Sequence, residues 1–295
     1  MFTSRLRLGL ALTAAIAVSP VRAAGVAPLP SVGCQAGGFT NGDRLERSIN
    51  VDGVGRSYIL DVPPNVKPHA PVPLLFDFHG LGHSAAGVWK VSGFRELARR
   101  DGFITVYPDG LPVTLRGGGR SFEGKGWEIA SVDHNRDVEF TTRLLDRLER
   151  EYCIDRARVF STGFSNGAFF SNLLGCAQAD RFAAIAPVSG GQLTVPCAPP
   201  RGVPVIIHHG RQDETVAIEQ ARGARDTWVR IDRCREQAKA SCEVHRDCRD
   251  GAVVEFCAGD FAHRWPPEAT ERIWEFFRNH PMPAGVAASA SGTER

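Results

Sequence analysis

A serine framed by two glycines near the middle of the chain constrains the fold more than any other feature. The pentapeptide is Gly163-Phe164-Ser165-Asn166-Gly167. Residues 158–162 before it form a short stretch with apolar, β-branched and aromatic residues, as in a strand, and residues 168–174 after it are compatible with a helix. A strand, Gly-x-Ser-x-Gly and a helix in this order form a nucleophile elbow, in which the strained turn leaves no room for bulky neighbours. The sequence therefore predicts a nucleophilic serine, Ser165.

Strand and helix patterns alternate along the rest of the chain. A hairpin is predicted over 47–62, with its turn at 52–55. Further strands are predicted at 73–79, 103–107, 158–162, 182–187, 203–208 and 252–256, and helices at 88–100, from Asp137 onward, at 168–174, 216–231 and 268–278. Such alternation favours a mostly parallel sheet with helices on both faces. Together with the elbow it indicates an α/β-hydrolase fold in one domain.

The two ends of the chain are predicted to lie outside that domain. Residues 1–7 are basic, residues 8–18 are apolar but too short to span a membrane, and Val21-Arg22-Ala23 offers small residues for cleavage. We therefore expect a signal peptide over 1–23, a hydrolase domain over 24–280 and a disordered tail over 281–295. A buried N-terminal helix is the alternative to the signal peptide. Export predicts a secreted protein, either extracellular or periplasmic, and no other segment is apolar enough to cross a bilayer.

Cysteine usage is consistent with export. All eight cysteines follow the predicted cleavage site, and the number is even, as in disulfide-bonded exported proteins. Zinc sites use paired C-x₂-C spacings, which this sequence lacks, so no metal is expected. Cys234 and Cys248 are the first predicted pair, because they flank a segment of little apolar content; the other pairings stay open. The formal charge of +2, with both signs interleaved, gives no indication of nucleic-acid binding.

A serine nucleophile needs a histidine base, and the base needs a carboxylate to orient it. In this fold the order along the chain is serine, acid, histidine. Asp213 follows the predicted strand 203–208 and is the expected acid. His263 precedes the last predicted helix and is the expected base, whereas His245 lies in a charged, cysteine-rich segment and is expected to be exposed.

Two backbone N–H groups are expected to bind the carbonyl oxygen during the reaction. One should come from Asn166, the residue after the nucleophile. The other should come from the glycine-rich loop Phe78-His79-Gly80-Leu81-Gly82, where Leu81 is favoured over Gly82. His79 is expected to order this loop.

The same motifs resemble those of secreted esterases of the polyhydroxybutyrate depolymerase and feruloyl esterase group, similar to carbohydrate esterase family 1. The similar segments are 78–82, 153–167 with Cys176, 182–191, His209-Gly210-Arg211-Gln212-Asp213 and Ala262-His263-Arg264-Trp265-Pro266. They span about 34–277. The sequence departs from the group at Ala262, where glycine is usual, and at Arg264, where threonine is usual.

The resemblance implies a serine carboxylesterase that forms an acyl-enzyme, without a metal or organic cofactor. The favoured substrate is a feruloyl or related hydroxycinnamoyl ester of plant cell-wall polysaccharide, and the alternative is extracellular polyhydroxybutyrate. A non-catalytic binding protein on the same fold is disfavoured, because the three catalytic residue types are intact. The protein is expected to be monomeric, with no membrane or nucleic-acid partner.

A hydroxycinnamoyl group needs a flat apolar slot. Trp127 and Trp265 are the predicted substrate-binding side chains, although Trp265 could instead pack the final helix. Trp127 belongs to residues 111–136, which show no periodicity but follow a central strand. Ligands bind beyond the carboxyl ends of such strands, so this segment is a candidate to shape the substrate site; an ordinary surface loop is the alternative.

Overall fold

The fold is built from alternating strands and helices. The computed structural model describes residues 26–36, 38–117, 119–193, 195–283 and 286, which contain twelve strands and six α-helices. The strands are β1 (Gly42–Val51), β2 (Val54–Val62), β3 (Val72–Phe78), β4 (Ile104–Pro108), β5 (Leu111–Gly117), β6 (Arg120–Gly126), β7 (Ile154–Phe164), β8 (Ala184–Val188), β9 (Val205–Gly210), β10 (Glu236–Lys239), β11 (Glu243–Arg246) and β12 (Val254–Gly259). The helices are α1 (Ala85–Val91), α2 (Phe94–Asp101), α3 (Arg136–Glu151), α4 (Asn166–Ala177), α5 (Ile218–Ile231) and α6 (Pro267–Asn279).

Ten strands form one sheet in the order β1-β2-β4-β3-β7-β8-β9-β12-β11-β10. The six central strands from β4 to β12 are parallel, and the antiparallel pairs β1–β2 and β11–β10 lie at the two edges. Parallel pairing brings the carboxyl ends of β3, β7, β9 and β12 to the same edge of the sheet. The loops that follow these strands carry the residues of the candidate site.

Helices cover both faces of the sheet, as predicted. Helices α3, α4 and α5 pack on one face, and the indole of Trp228 on α5 donates to Asn172 on α4. Helices α1, α2 and α6 pack on the other face, where Trp274 stacks on Phe103. The central strands are therefore buried on both sides, which fits their continuous apolar sequences.

The predicted helix at 88–100 is wrong in one respect, because the structure divides it into α1 and α2. Gly93 separates them with a φ of 76°, a left-handed conformation that a helix cannot contain. Ser92 caps the end of α1 and is buried, so the chain turns here rather than continuing straight.

Two regions hold strands that the sequence did not predict. In residues 111–136, β5 and β6 form a separate two-stranded antiparallel hairpin beyond the end of β4. In the cysteine-rich segment, β10 and β11 extend the main sheet from β12. His245 on β11 was expected to be exposed, but only 12 % of its side chain is accessible and its Nε2 lies 2.7 Å from Glu243 Oε1.

All eight cysteines form disulfides: Cys34–Cys153, Cys176–Cys197, Cys234–Cys248 and Cys242–Cys257. The predicted pair Cys234–Cys248 is confirmed. It links the end of α5 to the end of β11, and Cys242–Cys257 ties the β10–β11 turn to β12. These two bonds fix a segment whose strand β10 is exposed along its whole length.

The predicted signal peptide lies outside the described residues, as does most of the predicted tail. The first residues after 280 are nevertheless packed, since Met282 is fully buried and its N–H donates to the Ala157 carbonyl. The packed chain thus continues beyond the boundary predicted at 281. Among the described helices, none is long and apolar enough to cross a membrane.

Candidate active site

Ser165 lies at the sharp turn between β7 and α4. Its backbone has φ 54° and ψ −117°, and its N–H donates to the Val188 carbonyl. A Cβ on Gly163 would lie 2.5 Å from the Gly167 carbonyl oxygen, and one on Gly167 would lie 2.2 Å from the Phe78 carbonyl oxygen. Both glycines are therefore required by close backbone approach, and the predicted elbow is confirmed as a structural feature.

A continuous hydrogen-bond chain joins the three predicted triad residues. His263 Nε2 lies 2.9 Å from Ser165 Oγ, and His263 Nδ1 lies 2.7 Å from Asp213 Oδ2. The Asp213 side chain is fully buried, whereas 18 % of the His263 side chain remains accessible. A neutral imidazole in this position can accept the hydroxyl proton on one side while it donates to the carboxylate on the other.

The carboxylate of Asp213 is fixed by the loop that follows β9. Its Oδ1 accepts from the N–H groups of Thr215 and Val216, at 3.0 and 2.8 Å, which leaves Oδ2 for His263. His209 supports this loop, because its Nε2 lies 2.8 Å from the Val216 carbonyl oxygen and donates to it. Burial lowers the pKa of His209, so its ring stays neutral beside the acid.

The loop after β3 lies against the elbow. A Cβ on Gly80 would approach Ser165 Cβ to 3.3 Å, so this loop passes directly beside the serine. The Gly82 N–H donates to the Lys125 carbonyl, while among the described residues no hydrogen bond occupies the N–H of Leu81 or of Asn166. These two free amides are the ones that the sequence singled out.

His79 holds this loop in place, as expected. Its Nε2 accepts from the Gly110 N–H at 2.9 Å, and its Nδ1 lies 2.7 Å from the Gly80 carbonyl oxygen, to which it donates. Burial lowers the pKa of His79, which agrees with a neutral ring that both accepts and donates. The histidine therefore ties the loop to the end of β4.

Trp127 does not line a substrate slot, and this prediction is wrong. The indole is fully buried, stacks on Phe170 and donates to the His79 carbonyl at 2.8 Å. Because none of its surface is accessible, a ligand cannot touch it. Its position explains the error: Trp127 immediately follows β6 but points into the core beneath residues 78–82, the loop predicted to supply one oxyanion amide and called the oxyanion loop below.

Trp265 also packs between helices, which favours the alternative stated for it. Its ring meets Phe94 edge-on, and its N–H donates to Thr270 on α6. The half-buried ring borders a cleft of about 430 Å³ whose other walls come from the end of α1, the turn that follows it, α2 and α6. That cleft does not include Ser165 or His263.

Two features of the site were missed by the sequence reasoning. The Asn166 side chain pairs with the Trp127 backbone, and the ring of Phe164 lies 4.8 Å from the His263 imidazole, centroid to centroid. Nothing in the sequence pattern indicates the first contact, because it spans 39 residues. The second could have been anticipated, since Phe164 immediately precedes the nucleophile.

One group of metal-type ligands lies close together within the described residues: Cys242, Glu255 and Cys257. The two cysteine sulfurs are bonded to each other, so they cannot supply thiolates to a metal ion.

Comparisons with known proteins indicate an esterase, in agreement with the geometry of the site. No family model matches the sequence. Feruloyl esterase D of Neurospora crassa is 29% identical over 280 residues, covering 85% of this chain and 91% of that protein. Feruloyl esterase C of Emericella nidulans is 27% identical, covering 76% and 84%. The bifunctional acetylxylan esterase/xylanase of Neocallimastix patriciarum is 26% identical over 81% of this chain, which spans only 36% of that larger enzyme.

Solved structures agree on the fold. The acetyl xylan esterase from Aspergillus awamori aligns with a TM-score of 0.63 and 17% identity over 80% of this chain and 99% of its own. The feruloyl esterase module from Clostridium thermocellum complexed with sinapinate aligns with a TM-score of 0.59 and 13% identity, covering 87% and 93%. The protein has the α/β-hydrolase fold and is a carboxylic ester hydrolase. Within that class it is a homologue of the feruloyl and acetylxylan esterases, as the resemblance of its motifs implied.

Proposed function

We propose that the protein is a secreted feruloyl esterase that hydrolyses hydroxycinnamoyl esters of plant cell-wall polysaccharide. The observation that carries the proposal is the hydrogen-bond chain from Ser165 through His263 to Asp213, next to two unoccupied amides. The relatives named as feruloyl esterases, over most of this chain, support the choice of substrate.

In the first half of the reaction Ser165 Oγ attacks the ester carbonyl carbon, and His263 Nε2 takes the hydroxyl proton. The negative charge that develops on the carbonyl oxygen is stabilised by the N–H groups of Leu81 and Asn166. His263 then gives its proton to the departing sugar oxygen, and the feruloyl group stays on Ser165. Asp213 keeps the imidazole in the tautomer and orientation that both transfers require.

In the second half a water molecule replaces the sugar. His263 takes a proton from the water, the resulting hydroxide attacks the acyl carbon, and the same two amides stabilise the oxyanion. The intermediate then expels Ser165 Oγ, which recovers its proton from His263, and ferulate leaves. Every residue in this scheme comes from one chain, so we propose that the protein acts as a monomer.

Export is part of the proposal. The protein contains four disulfides. Disulfides form and persist in oxidising compartments and are rare in the reducing cytosol. An extracellular location also brings the enzyme to an insoluble wall polymer.

The test combines variants with a substrate panel. Ser165→Ala is expected to lower turnover by on the order of 10⁶, and His263→Ala should be comparably severe. His245→Ala is the matched control, because this histidine is also half-buried and bonded to a carboxylate but lies on β11. Damage from His245→Ala with His263→Ala active would overturn the choice of base.

Methyl ferulate, feruloylated arabinoxylan and polyhydroxybutyrate particles should be assayed side by side. We expect ferulate release from the first two. The comparisons give no support to the polyhydroxybutyrate alternative. Hydrolysis of the polyester without release of ferulate would overturn the proposal in favour of that alternative.

A further inference from the structure

The β5–β6 hairpin stands beside the oxyanion loop and carries an exposed aromatic side chain. Phe122 is 49 % exposed. Its cross-strand partner is Leu115, and the next pair on the same face, toward the base of the hairpin, is Val113 with Gly124. Because opposed residues and residues two apart share one face of a hairpin, these four positions form a single apolar face. Thr114 and Glu123 are opposed on the other face.

The apolar face begins at the oxyanion loop. At its base, a Cβ on Gly126 would lie 3.0 Å from Leu81 Cδ1 and 3.1 Å from Val113 Cγ2. A Cβ on Gly124 would lie 3.1 Å from the Gly82 nitrogen. The Gly82 N–H also donates to the Lys125 carbonyl. Glycines on the hairpin therefore let its base pack tightly against the loop, and the face continues outward from Leu81 to Phe122.

The geometry of the reaction determines which substrate group meets this face. Three groups surround the reacting carbon besides Ser165 Oγ: the oxyanion, the leaving oxygen and the acyl chain. The leaving oxygen must point to His263 Nε2 to receive its proton, and the oxyanion must point to the amides of Leu81 and Asn166. The acyl chain therefore points away from both groups, and the Leu81 side chain, which lies against Gly124 and Gly126 at the base of the hairpin, offers an apolar surface beside the reacting carbon along which it can extend.

We propose that Phe122, with Leu115, is the specificity-determining platform for the aromatic ring of the acyl group. This inference rests on the proposed function, since it names the residues that would recognise a hydroxycinnamoyl ring. A planar ring gains from stacking on an aromatic side chain beyond the area that it buries.

The test uses two esters with the same leaving group, 4-nitrophenyl ferulate and 4-nitrophenyl acetate. Phe122→Ala is expected to lower the ratio of their kcat/KM values, ferulate over acetate, about tenfold, which corresponds to ~1.4 kcal/mol. An acetyl group is too short to reach the platform, so the change should fall on the ferulate ester. Phe122→Trp should keep the ratio within about threefold of the wild type, because it restores an aromatic surface.

Glu123→Ala is the matched control, since Glu123 is exposed on the same strand but on the opposite face. It should leave the ratio unchanged. Equal losses on both esters with Phe122→Ala, or no loss on either, would overturn the platform. A drop in the ratio with Glu123→Ala of the same size would also overturn it.

The outcome of this test can be distinguished from the outcome of the test of the proposed function. If the wild type fails to release ferulate from arabinoxylan but Phe122→Ala still lowers the ratio tenfold, the natural substrate is wrong and the platform stands. If ferulate is released and the ratio does not respond to Phe122→Ala, the function stands and the platform is wrong.

Discussion

The side-chain amide of Asn166 pairs with the backbone of Trp127 through two hydrogen bonds. Asn166 Oδ1 accepts from the Trp127 N–H at 2.7 Å, and Nδ2 donates to the Trp127 carbonyl at 3.1 Å. The backbone of Asn166 supplies one proposed oxyanion amide, so this pairing fixes that residue to the base of the β5–β6 hairpin. The same hairpin flanks Leu81, which supplies the other proposed amide. The pairing holds the elbow and the hairpin at a constant separation.

Loss of this pairing should affect the chemical step. Asn166→Ala keeps the backbone N–H but removes both side-chain bonds, so we expect kcat to fall by on the order of 10², the effect of about 1 Å of misplacement. KM should change little, because no proposed substrate contact is lost. Steady-state kinetics on methyl ferulate check this, and a thermal melt establishes that the variant is folded. A raised KM at unchanged kcat would show that Asn166 serves binding instead.

Trp127 should act through the fold rather than through the substrate. Trp127→Ala removes a fully buried indole, so we expect a loss of roughly 3–5 kcal/mol in the free energy of unfolding. Whatever activity remains should fall by the same factor on 4-nitrophenyl ferulate and on 4-nitrophenyl acetate. A selective loss on the ferulate ester would return Trp127 to the substrate site and remove the reason for assigning that role to Phe122.

The elbow and triad could be predicted from sequence because each is fixed locally. Gly163 and Gly167 flank the serine two residues to either side, a local pattern even though the Phe78 carbonyl is what excludes a Cβ at Gly167. Asp213 and His263 each follow a strand whose carboxyl end faces the site. The β5–β6 hairpin could not be predicted in this way. Its glycines interrupt the alternation of apolar residues that reveals a strand, and they are there to approach the oxyanion loop, a contact distant in sequence.

The direction of a side chain is equally hidden from the sequence. Trp127 and Phe122 lie five residues apart in the same segment, yet one is fully buried and the other is half exposed. Which of them meets solvent depends on strand register and on packing against α4, neither of which is a local property. The break at Gly93 was missed for a related reason, because residues 88–100 keep a helical pattern across it.

The disulfide Cys34–Cys153 should stabilise the fold more than Cys234–Cys248. It joins residues 119 apart, against 14 for the other pair. The chain-entropy estimate gives about 4.7 kcal/mol for a loop of about 100 residues and about 3 kcal/mol for one of about 15. Replacing each pair by alanines and measuring urea unfolding should therefore show the larger loss for Cys34 and Cys153. The reverse order would mean that the chain-entropy effect does not dominate here.

Asp77 on β3 should make stability depend on pH. Burial raises the pKa of its carboxyl from 3.8 to about 8, and the Ser92 hydroxyl only partly opposes this shift. In the folded protein the carboxyl keeps its proton up to about pH 8, whereas in the unfolded chain it loses the proton near pH 3.8. Its contribution to stability is therefore complete below about pH 3.8 and is lost as the pH rises to about 8.

Asp77→Asn keeps the shape of the side chain and removes the titration. Between pH 5 and 7 the free energy of unfolding of the wild type should fall relative to that of the variant by ~1.4 kcal/mol per pH unit. Urea unfolding at pH 5, 6 and 7 with the disulfides intact measures this difference. Asp52→Asn, in the exposed turn between β1 and β2, removes the same charge and should run parallel to the wild type. If the Asp77→Asn curve is also parallel, Asp77 is already ionised in the folded protein, and its burial must be compensated by a contact with its charged form.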